Sequence, residues 1–337
     1  MTTGTTTTPH DATTTPDSAA RVLDVSDLKV HIPVRLGLRK ATVKAVDGVS
    51  FSVDRGRTLG VVGESGCGKS TTARAVMRLE EPSSGKIHLL GEDITHLSGE
   101  AMRRMRRHCQ MVFQDPYSAL NPRLTVGQIV AEPMQAQGMA RDAIAARVEE
   151  LLELVGLQPR HRYAFPHQFS GGQRQRIGTA RALSTHPEVL ILDEPVSALD
   201  VSVQAQVVNL FRDLQEQFDM GMVFISHDLS VVRHVSDDVV VMYLGQIVER
   251  GPAELVLSTP HHPYTEALIS AAPGQDDAGG RRERIVLTGE VPSPVNPPSG
   301  CRFRSRCWKA TAECEQTPPL AVPKGGSHEV ACFHPKV

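Results

Sequence analysis

Residues 63–71 read GESGCGKST, and this stretch restricts the possible folds more than any other part of the chain. It fits the phosphate-loop pattern G-x-x-x-x-G-K-[ST]. The apolar residues 59–62 predict a short buried strand before it, and residues 71–77 predict the first turns of a helix after it. In that setting the glycines let successive N–H groups point at phosphate oxygens, and the helix adds its positive end. The alternative is a glycine-rich turn that matches by chance, and it leaves the flanking strand and helix unexplained.

The residues of this loop have expected roles toward a nucleoside triphosphate. Lys69 is expected to reach the β- and γ-phosphates, and the hydroxyl of Ser70 to ligate Mg²⁺. The small side chain of Cys67 is expected to face away from the phosphates. The other residues predicted to contact ATP here are Gly63, Ser65, Gly66, Gly68 and Thr71, together with Cys67 itself.

Length and charge limit the class of the protein. A chain of 337 residues has room for one large domain and a smaller one. Its formal net charge of -2 gives no basic field that would attract nucleic acid. No apolar run approaches the roughly 18 residues of a membrane span. Residues 1–20, mostly Thr, Pro, Asp and Ala, predict a disordered tail rather than a signal peptide. In a cytosolic protein thiols stay reduced, so the six cysteines are interpreted as metal ligands or incidental residues before disulfides.

Three regions predict the layout around the loop. Residues 21–53 carry two apolar series that predict antiparallel hairpins, and hence a small sheet beside the nucleotide. Residues 139–157 predict an amphipathic helix inside a helical insert of about residues 121–183. Residues 239–251 predict a hairpin that ends the core domain.

Polar side chains follow three apolar runs at the points where buried strands are expected to end. Gln114 comes after the first, Asp193 and Glu194 after the second, and His227 after the third. Ligands of open α/β sheets bind at such carboxyl ends. Asp193 is a candidate Mg²⁺ ligand, Glu194 can polarise a water against the γ-phosphate, Gln114 can bind Mg²⁺ or that water, and His227 can contact the γ-phosphate. The plainer interpretations are a polar loop residue, two acids that end a strand and a structural histidine.

The sequence FSGGQ, residues 169–173, precedes a predicted helix. Ser170 is expected to cap the N-terminus of that helix, and Gly171 and Gly172 leave its first N–H groups bare for an anion. A helix cap alone is the alternative explanation. With the phosphate loop upstream, the pattern indicates a second phosphate-type site far from the first in sequence.

Taken in order, these elements resemble the nucleotide-binding subunits of ABC transporters over about residues 21–258. The resemblance implies a P-loop NTPase (RecA-like) α/β domain with an antiparallel β subdomain and a helical signature subdomain. It implies that two such domains pair head to tail, so that Ser170, Gly171, Gly172 and Gln173 face ATP on the partner. The corresponding motifs are GESGCGKST for Walker A, Gln114 for the Q-loop, FSGGQ for the signature, LILDEP for Walker B, residues 197–200 with Asp200 for the D-loop, and His227 for the switch histidine.

Two positions depart from the family pattern. The signature has Phe169 where leucine is usual. The family commonly stacks an aromatic residue of the first strand on adenine, whereas this chain has Ile32 at the matching position. His31 and Val43 are the alternatives for that contact.

The C-terminal part, residues 259–337, narrows the resemblance. Residues 261–268, HHPYTEAL, and residues 289–301, GEVPSPVNPPSGC, resemble the extension of oligopeptide, dipeptide and nickel importer ATPases. The second stretch is most similar to the dipeptide/oligopeptide "F" subunit, which pairs with a similar "D" subunit. This resemblance implies two transmembrane permease subunits, an extracellular solute-binding protein and a peripheral place on the cytoplasmic face of the membrane.

Four cysteines lie in this extension, separated by five, six and 17 residues. These gaps match neither the usual paired zinc spacing nor the bacterial ferredoxin run. A Pro-rich segment with few strands has little core, so a metal would help to order it. Related importer subunits carry a [4Fe–4S] cluster at such cysteines, and that resemblance predicts one here; zinc is the second possibility and unliganded thiols the third. The cysteines are Cys301, Cys307, Cys314 and Cys332.

The sequence thus predicts an ATP-hydrolysing subunit of a dipeptide or oligopeptide importer, with ATP and Mg²⁺ as cofactors. Its catalytic residues would be Lys69, Gln114, Glu194 and His227, and Mg²⁺ would bind Ser70, Gln114 and Asp193. An importer of nickel or another small solute is one alternative. A soluble ABC ATPase acting on nucleic acid, or a module that binds ATP without hydrolysis, are others. The near-neutral charge, and the absence from the sequence of tandem ABC domains and of long coiled-coil or zinc inserts, disfavour a function on nucleic acid. The presence of Glu194 and His227 disfavours the inactive module.

Overall fold

The computed structural model describes residues 21–37, 39–272 and 284–337, so the tail predicted at residues 1–20 lies outside the described part. The strands are β1 (Arg21–Leu36), β2 (Arg39–Asp54), β3 (Thr58–Val62), β4 (Ser84–Leu89), β5 (Glu92–Asp93), β6 (Cys109–Val112), β7 (Val189–Asp193), β8 (Gly221–Ile225), β9 (Asp238–Tyr243), β10 (Gln246–Pro252) and β11 (Glu329–Val330). The α-helices are α1 (Lys69–Val76), α2 (Gly99–Arg106), α3 (Pro116–Ala119), α4 (Val126–Ala136), α5 (Arg141–Leu154), α6 (Gly171–Leu183), α7 (Val201–Phe218), α8 (Leu229–Val235), α9 (Ala253–Ser258) and α10 (Pro263–Ala271).

The main sheet has the strand order β11-β10-β9-β3-β8-β7-β6. From β9 to β6 neighbouring strands run parallel, and β10 and β11 join antiparallel at the other edge. Every residue of β3, β7 and β8 is buried, as expected for parallel strands with both faces covered. The α/β prediction is therefore confirmed, and the carboxyl ends of these three strands lie side by side.

A smaller sheet has the order β2-β1-β4-β5, with antiparallel pairing throughout. This confirms the antiparallel sheet predicted over the first part of the chain. Its buried face shares one apolar core with the loop strand and α1, through Val25, Val46, Val61 and Ala75. The sheet is thereby fixed beside the phosphate loop.

Helices α4, α5 and α6 form the helical region predicted around residues 121–183. The helix expected over residues 139–157 is α5, and it ends just before Gly156, whose φ is 74°. Ile129, Leu151 and Ile177 bring the three helices into a core that continues under β7. The N-terminus of α6 is thus carried on a packed unit.

The chain after α9 folds back on the main sheet. Its strand β11 pairs with β10 at the sheet edge. Phe303 is fully buried, with its ring centroid 5.2 Å from that of Tyr243 in β9 and 5.4 Å from that of Tyr264 in α10. The extension therefore has an apolar anchor of its own.

None of the helices in the described ranges is both long and apolar enough to cross a membrane.

Candidate functional site

A cavity of about 650 Å³, here called the phosphate-loop cavity, opens at the carboxyl ends of β3, β7 and β8. It brings together residues that are far apart in the sequence, as ligand sites at this edge of a parallel sheet do. Its lining consists of Ile32, Val43, Ala45, Ser65, Gly66, Gly68, Lys69, Ser70, Thr71, Gln114, Glu194, His227 and Pro294.

The phosphate loop connects β3 to α1 through backbone conformations that only glycine accommodates. Gly68 precedes α1 with φ 108°, and a Cβ there would lie 2.3 Å from the carbonyl oxygen of Ala45. Gly63 has φ 152°, and its Cβ would lie 2.3 Å from the carbonyl oxygen of Met242. The loop can therefore pass this close to β2 and β9 only without side chains at these positions.

Lys69 lies inside the curl of this loop and is almost fully buried. Its ammonium donates hydrogen bonds to the carbonyl oxygens of Gly63 at 2.8 Å and Glu64 at 3.1 Å. The side chain of Cys67 is buried with its sulfur 3.9 Å from the same ammonium, and burial raises the pKa of the thiol. The loop thus encloses a positive charge at the start of α1.

Asp193 is the last residue of β7 and its side chain is buried. The hydroxyl of Ser70 donates a hydrogen bond to its Oδ1 atom at 2.8 Å. Burial raises the pKa of this carboxyl group, while the hydrogen bond from Ser70 acts in the opposite direction. A carboxylate and a hydroxyl side by side are the oxygen ligands that Mg²⁺ prefers, so these two residues fit the metal predicted from the sequence.

Glu194 contacts two other polar side chains of the cavity, those of Gln114 and His227. Its Oε2 atom accepts a hydrogen bond from Nε2 of Gln114 at 3.0 Å and lies 3.3 Å from Nδ1 of His227. The side chain of Glu194 is only 14% exposed, whereas that of His227 is 60% exposed. The carboxylate therefore lies at the inner end of the cavity, with the imidazole nearer the solvent.

The backbone of Glu194 supports this placement. Its φ is 46°, a left-handed conformation that a non-glycine residue adopts at a cost of about 1–3 kcal/mol. Its N–H donates to the carbonyl oxygen of Ile225 in β8 at 3.0 Å. This turn is what directs Glu194 into the cavity while its neighbour Asp193 bonds to Ser70.

The far side of the cavity is aliphatic. Ile32, Val43 and Ala45 come from β1 and β2, and Pro294 comes from the C-terminal extension. The carbonyl of Pro294 accepts a hydrogen bond from the N–H of Lys44 at 3.0 Å. Of the two alternatives to Ile32, Val43 lines the cavity, whereas the imidazole of His31 bonds to Asp47 at 2.8 Å. Sequence reasoning missed Pro294, although its proline-rich stretch was the signal that identified the extension.

The signature residues, 169–173, lie outside the lining of the phosphate-loop cavity, and Ser170 caps the N-terminus of α6. Ser170 is exposed and precedes α6; its Oγ accepts from the N–H of Gln173 at 3.4 Å, and its own N–H donates to Oε1 of Gln173 at 3.0 Å. Gly172 is packed so closely on α7 that a Cβ there would lie 2.5 Å from Val203. In the part of the chain that the structure describes, Ser170, Gly171, Gly172, Gln173 and Asp200 do not belong to the cavity lining.

The iron–sulfur prediction is wrong. The four cysteines of the extension are free thiols, and no group of three or more His, Cys, Asp or Glu side chains among the described residues could hold a metal ion. The structure gives no support to zinc either. Burial raises the pKa of Cys301 and Cys307, and that of Cys332 to about 11. The expectation for Cys301, Cys307, Cys314 and Cys332 came from the family resemblance and from the interpretation that this segment has little core, whereas Phe303 anchors the segment in the apolar interior.

Comparisons with known proteins agree with the motif order. The family model described as "ABC transporter" matches residues 46–197, and the one described as "Oligopeptide/dipeptide transporter, C-terminal region" matches residues 248–314. The chain is 52% identical over 317 residues to the oligopeptide transport ATP-binding protein AppF of Bacillus subtilis (strain 168), an alignment that covers 92% of this chain and 96% of AppF. It is 49% identical over 317 residues to the dipeptide transport ATP-binding protein DppF of Escherichia coli (strain K12), with coverage of 93% and 94%.

A solved structure gives the same result for the fold. The dimeric post-hydrolysis state of the ATP-binding cassette MJ0796, bound to ADP and Pi, matches with a TM-score of 0.61 at 25% identity. The match covers 68% of this chain and 98% of that one. The resemblance read from the motifs is confirmed: the chain belongs to the ATPase family of ABC transporter ATP-binding subunits, in the group that carries the oligopeptide/dipeptide transporter C-terminal region.

Proposed function

We propose that this chain hydrolyses ATP to power a membrane importer of dipeptides or oligopeptides. The observation that carries the chemistry is the convergence of Lys69, Ser70, Gln114, Glu194 and His227 on one cavity. The proposed peptide substrate is supported by the relatives, which are named as oligopeptide and dipeptide transport proteins.

In this proposal the loop and its neighbours bind the triphosphate and a metal. Lys69 exchanges its bonds to the loop carbonyls for the β- and γ-phosphates, and the loop from Gly63 to Thr71 supplies backbone N–H groups. Ser70, Asp193 and the amide oxygen of Gln114 would hold Mg²⁺. When bound, Mg²⁺ neutralises the charge that develops on the transferred phosphoryl group.

Glu194 is the proposed general base. Its carboxylate accepts a proton from the attacking water, while Gln114 holds one carboxylate oxygen at 3.0 Å and thereby fixes its direction. His227, on the solvent side of Glu194, orients the water toward the γ-phosphate. The contacts of Gln114 and His227 with Oε2 of Glu194 support this arrangement.

The signature residues serve a neighbouring ATPase subunit in the same proposal. Ser170, Gly171, Gly172 and Gln173 offer a capped helix N-terminus outside this chain's own cavity, which suits the phosphates of a nucleotide held by a partner. Asp200 immediately precedes α7, the helix on which Gly172 packs. The partner is a homologous D-type subunit, and residues 21–258 form the domain that pairs with it, with residues 259–337 as the extension. The isolated chain should consequently turn ATP over slowly.

The remaining proposed partners are the other subunits that an importer of this family requires. Two permease subunits would bind this chain through the face near Gln114 and the helical region. A solute-binding protein on the outer side would deliver the substrate. The chain itself would lie peripherally on the cytoplasmic face.

The replacement Glu194→Gln tests the chemistry. It removes the proton acceptor but keeps the shape, so turnover at this chain's own site should fall about a hundredfold in the assembled importer. Glu188→Gln is the matched control, because Glu188 precedes the opposite end of β7 and pairs with Arg55 at 2.7 Å. Unchanged ATPase activity of the Glu194→Gln importer would rule out the assigned base.

Uptake identifies the solute. A strain lacking this chain should lose accumulation of labelled dipeptides and recover it with the wild-type chain but not with Glu194→Gln. The same strain is given nickel ions in parallel. Loss of nickel uptake with normal dipeptide uptake would replace the peptide by the metal ion as cargo.

A further inference from the structure

We propose that the C-terminal extension holds the phosphate loop in its ATP-binding shape, with Arg306 and Tyr264 as positioning residues that act through Glu64. This inference rests on the proposed binding of ATP by the loop. It assigns to the extension a direct part in nucleotide binding, which the family comparisons leave undefined.

The first contact is a bidentate ion pair between Arg306 and Glu64. Nη1 of Arg306 lies 2.8 Å from Oε2 of Glu64, and Nη2 lies 3.2 Å from Oε1. Glu64 is the second residue of the phosphate loop, and the two residues are 242 positions apart in the sequence. The side chain of Arg306 is only 7% exposed and that of Glu64 26%, so water screens the pair weakly. Paired parallel hydrogen bonds of this kind fix direction as well as distance.

The second contact holds the backbone of the same residue. The hydroxyl of Tyr264, in α10, accepts a hydrogen bond from the N–H of Glu64 at 2.7 Å. Tyr264 is fully buried, and burial raises the pKa of its hydroxyl, which stays protonated. The extension therefore contacts both the side chain and the backbone of Glu64.

Glu64 passes this constraint to the phosphate-binding lysine. The carbonyl oxygen of Glu64 accepts a hydrogen bond from Lys69 at 3.1 Å, next to the bond from Lys69 to Gly63. A shift of Glu64 would move the loop backbone next to Lys69, and with it the position from which the ammonium reaches the phosphates. The chain of contacts runs from the extension to Glu64 and from Glu64 to Lys69.

Further contacts tie Arg306 and its segment to β9 and α10. Arg306 also donates to the hydroxyl of Tyr243 at 3.4 Å, and its guanidinium carbon lies 5.9 Å from the centre of that ring. Phe303 packs edge-on against Tyr243 and is tilted against Tyr264. Because β9, α10 and the Arg306 segment meet in this aromatic cluster, the extension cannot move away without disturbing the loop.

Two variants remove the contacts with little change in bulk. Arg306→Met deletes the charge and the fork, and Tyr264→Phe deletes only the hydroxyl. Arg304→Met is the matched control, because Arg304 lies two positions away and pairs instead with Glu315 at 3.6 Å. The affinity of each full-length chain for MgATP is measured by calorimetry below its thermal transition, and the transition itself is recorded by circular dichroism.

We expect MgATP to bind about tenfold more weakly to Arg306→Met and several-fold more weakly to Tyr264→Phe, with no change for Arg304→Met. The double variant Glu64→Gln/Arg306→Met should bind no more weakly than Arg306→Met alone, because both changes break the same pair. In the assembled importer Arg306→Met should raise KM for ATP more than it lowers kcat.

The inference is overturned if Arg306→Met and Tyr264→Phe lower the thermal transition but bind MgATP as the wild type does. That result would give the contacts a purely structural role. Lys69→Ala separates this outcome from failure of the proposed function: if Lys69→Ala also binds MgATP normally, the assignment of the loop to ATP is wrong.

Discussion

Ile32 occupies the position where the family resemblance predicts an aromatic residue, and it lines the phosphate-loop cavity beside Val43, Ala45 and Pro294. Aliphatic side chains give a base apolar contact but no ring to stack on. The proline comes from the extension, so this wall is built from two distant parts of the chain. We therefore expect an aromatic side chain in this wall to bind the adenine base more tightly than the aliphatic residues do.

Replacing Ile32 by Tyr should tighten MgATP binding. Stacking of a base on an aromatic ring contributes about 1 kcal/mol or more, which corresponds to roughly a fivefold lower Kd. The measurement is calorimetric titration of the full chain, with Ile32→Leu as an aliphatic control that should leave Kd unchanged. Equal or weaker binding by Ile32→Tyr would show that the base lies elsewhere in the cavity.

At the scale of single elements, local signals were enough to predict several structures. The strand before the phosphate loop, the cap at Ser170 and the hairpin of β9 and β10 were all expected, because each signal lies within about ten neighbouring residues. Boundaries were less exact: α1 begins at Lys69, two residues before the predicted 71–77, because Gly68 takes the cap position. Sequence periodicity does not indicate which of the loop glycines precedes the first residue of the helix.

His262 caps α10 with an unusual titrating group. Its Nδ1 atom accepts a hydrogen bond from the backbone N–H of Tyr264 at 3.0 Å, and the backbone N–H of His262 donates to Oε2 of Glu249 in β10 at 3.1 Å. Burial lowers the pKa of His262 from 6.5 to about 4; the carboxylate of Glu249 opposes this shift and Lys309 adds to it. The folded protein thus keeps this imidazole neutral as an acceptor.

A pH dependence of stability follows. Between about pH 6.5 and pH 4 the unfolded chain gains a proton on His262 that the folded chain does not, so the free energy of unfolding decreases as the pH falls. The contribution is up to about 3 kcal/mol at the acid end of this window. His262→Asn keeps a capping acceptor without titrating, so urea unfolding across this range should show a smaller slope. His96→Asn, at an exposed position, is the control; an identical slope for His262→Asn and the wild type would refute the assignment.

At the scale of the whole molecule, the sequence could not predict contacts between distant segments. The pairing of Arg306 with Glu64 and the place of Pro294 in the cavity depend on how the extension folds back over β9 and β10, which no local pattern encodes. The cysteine prediction failed for the same reason. Four thiols in one segment bind a metal only if the fold gives them metal-ligating geometry, and no such group occurs among the described residues.

Pairing between subunits is the largest-scale consequence of the proposal and can be tested with two variants of this chain. In a head-to-tail pair, Lys69→Ala damages the site on this chain's own loop, and Ser170→Arg damages the site on its partner's loop. If the partner is a homologous D-type subunit, each importer holds one copy of this chain. The ATPase activity of importers assembled from an equal mixture of the two variants should then equal the mean of the two measured separately.

If two copies of this chain paired instead, each variant alone would disable both sites. Random mixing would then restore one intact site in half of the pairs, which gives about a quarter of wild-type activity. Activity above the mean would therefore contradict the D-type partner, and circular dichroism of both variants establishes that they are folded.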